Sequence, residues 1–242
     1  MPLKKTMMIK YLLPFICTFC FSVEASVVMQ GNRVIYDASK SQKPVTFTNN
    51  DSFPYIVQTW VSAAENTTAS EAGESPFAIS PAVFKINPHQ DQIISLIYTN
   101  AQKKLSKEQI FYLHFTQVPS ILEDERNKNK LVLIVNSVVK IFLRPDNLPI
   151  SYEQMFDFVN YKITNDSHGC SLIISNQSPY YLNSISLTTT FGSANKEIPM
   201  QMIAPNSTFS LPTNCNNTQV QKSISVSYIN DYGVVQKHKL KE

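Results

Sequence analysis

The chain has 242 residues, 43% of them apolar and 16% charged, with a formal net charge of +3. That balance supports a buried core and excludes disorder over most of the chain. It also argues against nucleic acid as a partner, since no strongly basic surface is on offer.

The N-terminus reads as a secretory signal. Lys4, Lys5 and Lys10 precede the apolar run Tyr11–Val23, and Val23 and Ala25 occupy the −3 and −1 positions before Ser26. The run is shorter than the roughly 20 residues needed to span a bilayer. Residues 1–25 are therefore expected to be removed on export, a retained anchor being the alternative. Cleavage takes away three of the 21 basic residues and one of the 18 acidic ones, leaving a nearly neutral chain. It also takes Cys17 and Cys20, whose C-x-x-C spacing would otherwise suggest redox or zinc chemistry. Cys170 and Cys215 remain. An oxidising compartment favours their pairing, which would contribute on the order of 3–4 kcal/mol; two buried free thiols are the alternative. The N-x-S/T triplets at Asn50, Asn66, Asn165, Asn176, Asn206 and Asn216 carry no weight in a bacterial export route.

From Ser26 the chain reads as short strands between turn signals. SVVMQGNRVIYD is the first, PVTFTNN runs into the Asn49–Ser52 turn, and PYIVQTWVSA puts Val57, Thr59 and Val61 on one face with Gln58 and Trp60 on the other. A polar loop over 65–75 leads to FAISPAVFKINP, QIISLIYTN and QIFYLHFTQVP. The charged ILEDERNKNK has no core periodicity. It is followed by the longest strand-like run, LVLIVNSVVKIFLRP from Leu131 to Pro145, whose apolar sequence is interrupted by Lys140. Lys140 is either a solvated charge at a wet strand end or a cation awaiting an anion. Seven such strands without helical periodicity imply a β-sandwich of about a hundred residues.

RPDNLP then forms a short stiff linker, placing a domain boundary near residue 146. SYEQMFDF is a helical turn or a strand entry. YKITND, CSLIISNQS, PYYLNSISLTTTF, FSLP and SISVSYINDYG repeat the all-β pattern, and the basic tail QKHKLKE is expected to be solvated. Catalytic patterns are sparse. His89, His114, His168 and His238 have no metal-ligand spacing, although His168 lies close to Cys170. Five glycines form no phosphate loop, and no G-x-S-x-G or Cys/His arrangement occurs. The expected chain is not an enzyme and needs no cofactor or metal.

Seven segments carry a resemblance: GNRVIYDAS at 31–39, TNNDSFPYIVQTWV at 48–61, SPAVFKINP at 80–88, KEQIFYLHFTQVPS at 107–120, VVKIFLRP at 138–145, NQSPYYLN at 176–183 and YINDYG at 228–233. In that order they resemble the periplasmic pilus-assembly chaperones of the PapD-like family, whose sandwich fold and strand-donating mode of binding are well known. The resemblance implies two immunoglobulin-like β-sandwich domains set at an angle with a cleft between them, over 26–146 and 147–242. It implies a periplasmic protein that stabilises pilus or fimbrial subunits by lending them a strand and delivers them to an outer-membrane usher, with no nucleic acid or small-molecule substrate. Self-association of the free chain is a further way of covering the lent strand.

By position in the motifs, Leu131, Leu133 and Val135 would enter the subunit's groove, and Val132 and Ile134 would face the chain's own core. Arg33 and Lys140 would hold the subunit's C-terminal carboxylate, fixing the register of the added strand. Glu108, Arg144 and Asp231 would form an inter-domain charge network. His114 stands where many relatives have Asn, and Ala82 and Ser120 where many have a second proline. The short connection from Pro119 to Leu131 favours the branch that builds rod-like pili. The alternative from another class is a secreted two-domain adhesin or pilin-like structural subunit, which need not carry the Arg33 and Lys140 pair.

Overall fold

A computed structural model describes residues 26–71, 73, 75–100, 104–120, 131–166, 169–191, 194–213 and 221–242. The expected signal segment and Cys215, His168 and the 121–130 connection lie outside these residues.

The described residues form sixteen strands and one 3-10 turn. The first nine are β1 (Val27–Met29), β2 (Arg33–Asp37), β3 (Gln42–Asn49), β4 (Tyr55–Ser62), β5 (Phe77–Ser80), β6 (Val83–Ile86), β7 (Asp91–Tyr98), β8 (Gln109–Pro119) and β9 (Val135–Arg144). They form two sheets, β1-β3-β7-β5 and β2-β9-β8-β4-β6. Alternation decides which side chains meet between them. In β4, Tyr55, Val57, Thr59 and Val61 are buried while Ile56 and Gln58 are exposed, as the sequence led one to expect. Phe47, Ile94, Leu96, Leu113, Ile141 and Leu143 complete the first core.

Two expected strands are each divided between the sheets. SVVMQGNRVIYD breaks at Gly31, whose φ of 90° favours glycine, so that β1 pairs with β3 and β2 pairs in parallel with β9. FAISPAVFKINP breaks around Pro81, with β5 on β7 and β6 on β4. A proline has no N–H to keep one ladder running, and period-two alternation persists across such a switch, which hides it in the sequence.

A 3-10 turn at Tyr152–Phe158 buries Met155, resolving the ambiguity of SYEQMFDF. The remaining strands are β10 (Val159–Asp166), β11 (Gly169–Asn176), β12 (Ser184–Phe191), β13 (Ala194–Pro199), β14 (Ser207–Thr213), β15 (Gln221–Ile229) and β16 (Val235–Lys239), in sheets β10-β11-β14 and β13-β12-β15-β16. Leu172, Ile174, Leu182, Leu187, Ile224 and Val226 form a second, separate core. The tail is not simply solvated: β16 pairs with β15, His238 stacks on Phe156 at 3.9 Å, and Leu240 is buried. β13 and β16 are outermost strands in their sheet, and the described side chains of both are mostly exposed, so they lack the apolar alternation that marks a central strand.

One buried amide does the same work in each half. The Asn49 side chain donates to the carbonyls of Phe53 and Asn87, and that of Asn176 to those of Tyr180, Ile203 and Ala204. Both residues are essentially without solvent exposure, so each satisfies backbone groups that water cannot reach.

Candidate binding cleft and exposed strand

Strand β9 carries most of the predicted site. Its antiparallel ladder with β8 begins at the pair Gln117 and Val135, and its parallel ladder with β2 begins at Arg33 and Lys140. On the β2 side, therefore, the β9 edge from Val135 to Val139 has no strand partner among the described residues, and residues 131–134 precede both ladders. The strand thus starts four residues later than the apolar run suggests, because β8 supplies no partner beyond Val135. Leu131 is 85% exposed and Leu133 67%, with Val135 at 45%. Val132 and Ile134 do not enter the core as expected: they are 40% and 58% exposed, and among the described residues no strand pairs with this segment. Five consecutive exposed apolar residues beside an open edge form a surface that a monomer seldom leaves uncovered.

Arg33 and Lys140 lie directly opposite one another in the parallel pair, at the place where β2 starts and the open edge ends. Both are half-buried. Arg33 Nε donates to Asn32 Oδ1 at 3.0 Å and Nη1 to the Ile229 carbonyl at 3.3 Å. Burial lowers the Arg33 guanidinium below its ordinary value, with Tyr152 and Asp231 acting in the opposite sense. Neither cation has a carboxylate within ion-pair distance among the described residues. Two half-buried cations thus stand side by side at the end of an open strand edge, with donors that an anion could accept from.

The second predicted cluster is an inter-domain ion network. Arg144, at the end of β9, donates from Nε to Glu108 Oε1 at 2.9 Å, with Nη2 at the same distance, and from Nη1 and Nη2 to the two Asp231 oxygens at 2.6 and 3.0 Å. Glu108 is buried just before β8; its other oxygen accepts the Tyr181 N–H at 2.9 Å. Asp231 sits in the turn between β15 and β16. The guanidinium also lies over the rings of Tyr152 and Tyr180, at 4.5 and 5.1 Å. Burial pushes the Glu108 carboxyl up against the pull of Arg144. Burial would lower Arg144, but its bonds to Asp231 and the charge of Glu108 hold it above its ordinary value. Phe142 and Tyr181 add an aromatic contact between the halves at 6.0 Å. Tyr181, Tyr152, Tyr180 and Asn32 were not singled out from the sequence; an exposed-looking tyrosine pair and an asparagine in a turn carry no signal of a distant partner.

Elsewhere, His114 is buried and stacks on Trp60 with ring centroids 5.0 Å apart. Ser62 Oγ donates to the Ala64 carbonyl and lies 2.8 Å from His114 Nε2, which must then supply the proton between them. Cys170 is buried in β11. Among the described residues no three of His, Cys, Asp and Glu converge as metal ligands.

Two stacked sheets in each half, joined through a charged cleft, define a pair of immunoglobulin-like sandwiches. Two family models match: the pili and flagellar-assembly chaperone PapD N-terminal domain over residues 26–149, and the pili assembly chaperone PapD C-terminal domain over 159–240. The chain belongs to this family, which consists of assembly chaperones and not enzymes. It is 27% identical over 216 residues to the chaperone protein FimC of Escherichia coli K12, covering 88% of this chain and 82% of FimC. It is 28% identical over 220 residues to YadV of the same organism, described as a probable fimbrial chaperone, covering 89% of each, and the crystal structure of the YadV chaperone superposes with a TM-score of 0.68. The same fold is seen in the Salmonella enterica SafB chaperone, solved in complex with the SafA pilin: 22% identity, TM-score 0.67, covering 91% of this chain and 97% of that one. The chain is thus a pilus-assembly chaperone, which decides against the alternative of an adhesin or structural subunit.

Proposed function

We propose that the chain works in the periplasm, where it binds a pilus or fimbrial subunit by adding β9 to the subunit's incomplete sheet and passes it to an outer-membrane usher. The observation that carries this reading is the coincidence of an open strand edge, an uncovered apolar segment and a two-cation site at the end of that edge. A subunit strand laid beside 131–139 would continue the line of β2. With its C-terminal carboxylate at Arg33 and Lys140 it would run in the same direction as β9, forming a parallel ladder. Leu131, Leu133 and Val135 share one parity and would enter the subunit together, contributing roughly 5–8 kcal/mol before association costs. The carboxylate would set the register, and Glu108, Arg144 and Asp231 would set the angle between the domains, whose boundary we place at residue 146.

The test is co-expression of the mature chain with candidate subunits from the same genome. A soluble one-to-one complex is expected with at least one of them. Leu133→Ser and Lys140→Ala should each fold normally and lose most of the captured subunit. Undiminished capture by both variants would remove the strand and the anchor from the account.

A further inference from the structure

The turn between β15 and β16, with the residue that opens it, touches the first domain at three places. Asp231 is held by Arg144, and two residues later Gly233 meets Asn32. The turn is internally fixed: Asn230 N–H donates to the Val234 carbonyl, Gly233 N–H to the Asn230 carbonyl, and Asn230 Oδ1 accepts from the N–H groups of Tyr232 and Val234, all at 3.0–3.1 Å. Gly233 has φ of 79°, and a Cβ there would stand 2.8 Å from both Asn32 Cγ and Nδ2, closer than real contacts allow. The Asn32 amide uses both of its functions. Nδ2 donates to the Gly233 carbonyl at 3.2 Å, while Oδ1 accepts from Arg33 Nε. Arg33 Nη1 reaches the Ile229 carbonyl at the other end of the same turn. The guanidinium is thereby gripped at Nε and Nη1, and Nη2 has no hydrogen-bond partner among the described residues.

We propose that Asn32 is a positioning residue for the anion site: it fixes the Arg33 guanidinium against the second-domain turn and leaves the Nη2 edge for a carboxylate. The site is then complete only while the two domains are docked, and the Asp231 contact with Arg144 supports it at a distance through the same turn. An asparagine suits this position because it must give a donor to one carbonyl and an acceptor to one guanidinium; an aspartate offers acceptors only. The inference rests on the reading that Arg33 and Lys140 receive the subunit's C-terminal carboxylate.

The experiment is calorimetric titration of the full mature chain with a synthetic peptide carrying the C-terminal strand of a co-purifying subunit, as free acid and as C-terminal amide. The wild-type chain should prefer the acid by about tenfold or more, as expected of charge-assisted hydrogen bonds, and Arg33→Ala should erase most of that ratio. Asn32→Ala should lower the ratio roughly three- to tenfold while amide affinity stays constant. Gly233→Ala, which disturbs the contact from the other side, should do the same. If Asn32→Ala and Gly233→Ala keep the wild-type ratio while Arg33→Ala loses it, the role of Asn32 is refuted and the carboxylate anchor stands. Equal weakening of acid and amide by Asn32→Ala would mean a docking contact only, and also refutes it. A wild-type chain that treats acid and amide alike overturns the anchor reading itself.

Discussion

Replacing Arg144 with alanine removes the guanidinium from between Glu108 and Asp231 and from over two tyrosine rings. Asp231 is left near solvent and can rehydrate. Glu108 cannot: it is 2% exposed, and its charge would keep only the Tyr181 N–H. Breaking a buried pair by deleting one partner costs about 3–5 kcal/mol, most of it the stranded charge. For a chain of this size that corresponds to a fall in melting temperature on the order of 6–20 °C. The assay is calorimetric melting of residues 26–242, as wild type, Arg144→Ala, Glu108→Gln and the double variant. Removing the stranded charge as well must recover stability, so the double variant should melt above Arg144→Ala. The pH dependence has a definite sign. Burial raises the Glu108 carboxyl, so its contribution is most favourable below the unfolded value of about 4.3 and is lost as pH rises through the folded one. The deficit of Arg144→Ala should therefore be smaller at pH 4.5 than at pH 7.5. A melting temperature within about 2 °C of wild type, or strictly additive costs in the double variant, would refute the reasoning.

Two further outcomes follow from the same geometry. Burial holds the His114 imidazole below its ordinary value, opposed by the Ala64 carbonyl and Glu65; its contribution to stability should be present above the unfolded value of about 6.5 and be lost as pH falls through the folded one. His238 is lowered in the same direction by burial and Lys241, so the readout is the difference in melting temperature between wild type and His114→Asn across pH, which should narrow in acid. A thiol count on the unfolded, unreduced mature chain tests the Cys170 and Cys215 pairing: no free thiol is expected, and two would dismiss the bond.

The sequence made the central strands legible where one face is buried and the other wet. β4 shows this alternation from Tyr55 to Val61, whereas β9 buries Ile141, Phe142 and Leu143 in succession and shows none there. Sheet switching at Gly31 and around Pro81 was not legible, because alternation continues while the hydrogen-bonding partner changes. The outer strands β13 and β16 were missed because their visible side chains bury little. The family resemblance singled out Arg33, Lys140, Glu108, Arg144 and Asp231; the strand pattern alone marked only Lys140, and left it between a solvated charge and a cation awaiting an anion. Asn32 and Tyr181 were out of reach, since their roles depend on a partner some 200 and 73 positions away in the chain. The expectation that Val132 and Ile134 turn inward failed for a related reason: strand parity assigns a face, but only a covering layer makes that face a core.

Amide hydrogen exchange across Leu131–Val139, in the free chain and in its complex with a subunit, is the most direct test of strand lending. The free chain should exchange rapidly at Leu131–Ile134, which belong to no ladder, and the complex should protect these amides together with those on the open edge of β9. A stable complex in which Leu131–Ile134 exchange as fast as in the free chain would contradict the account.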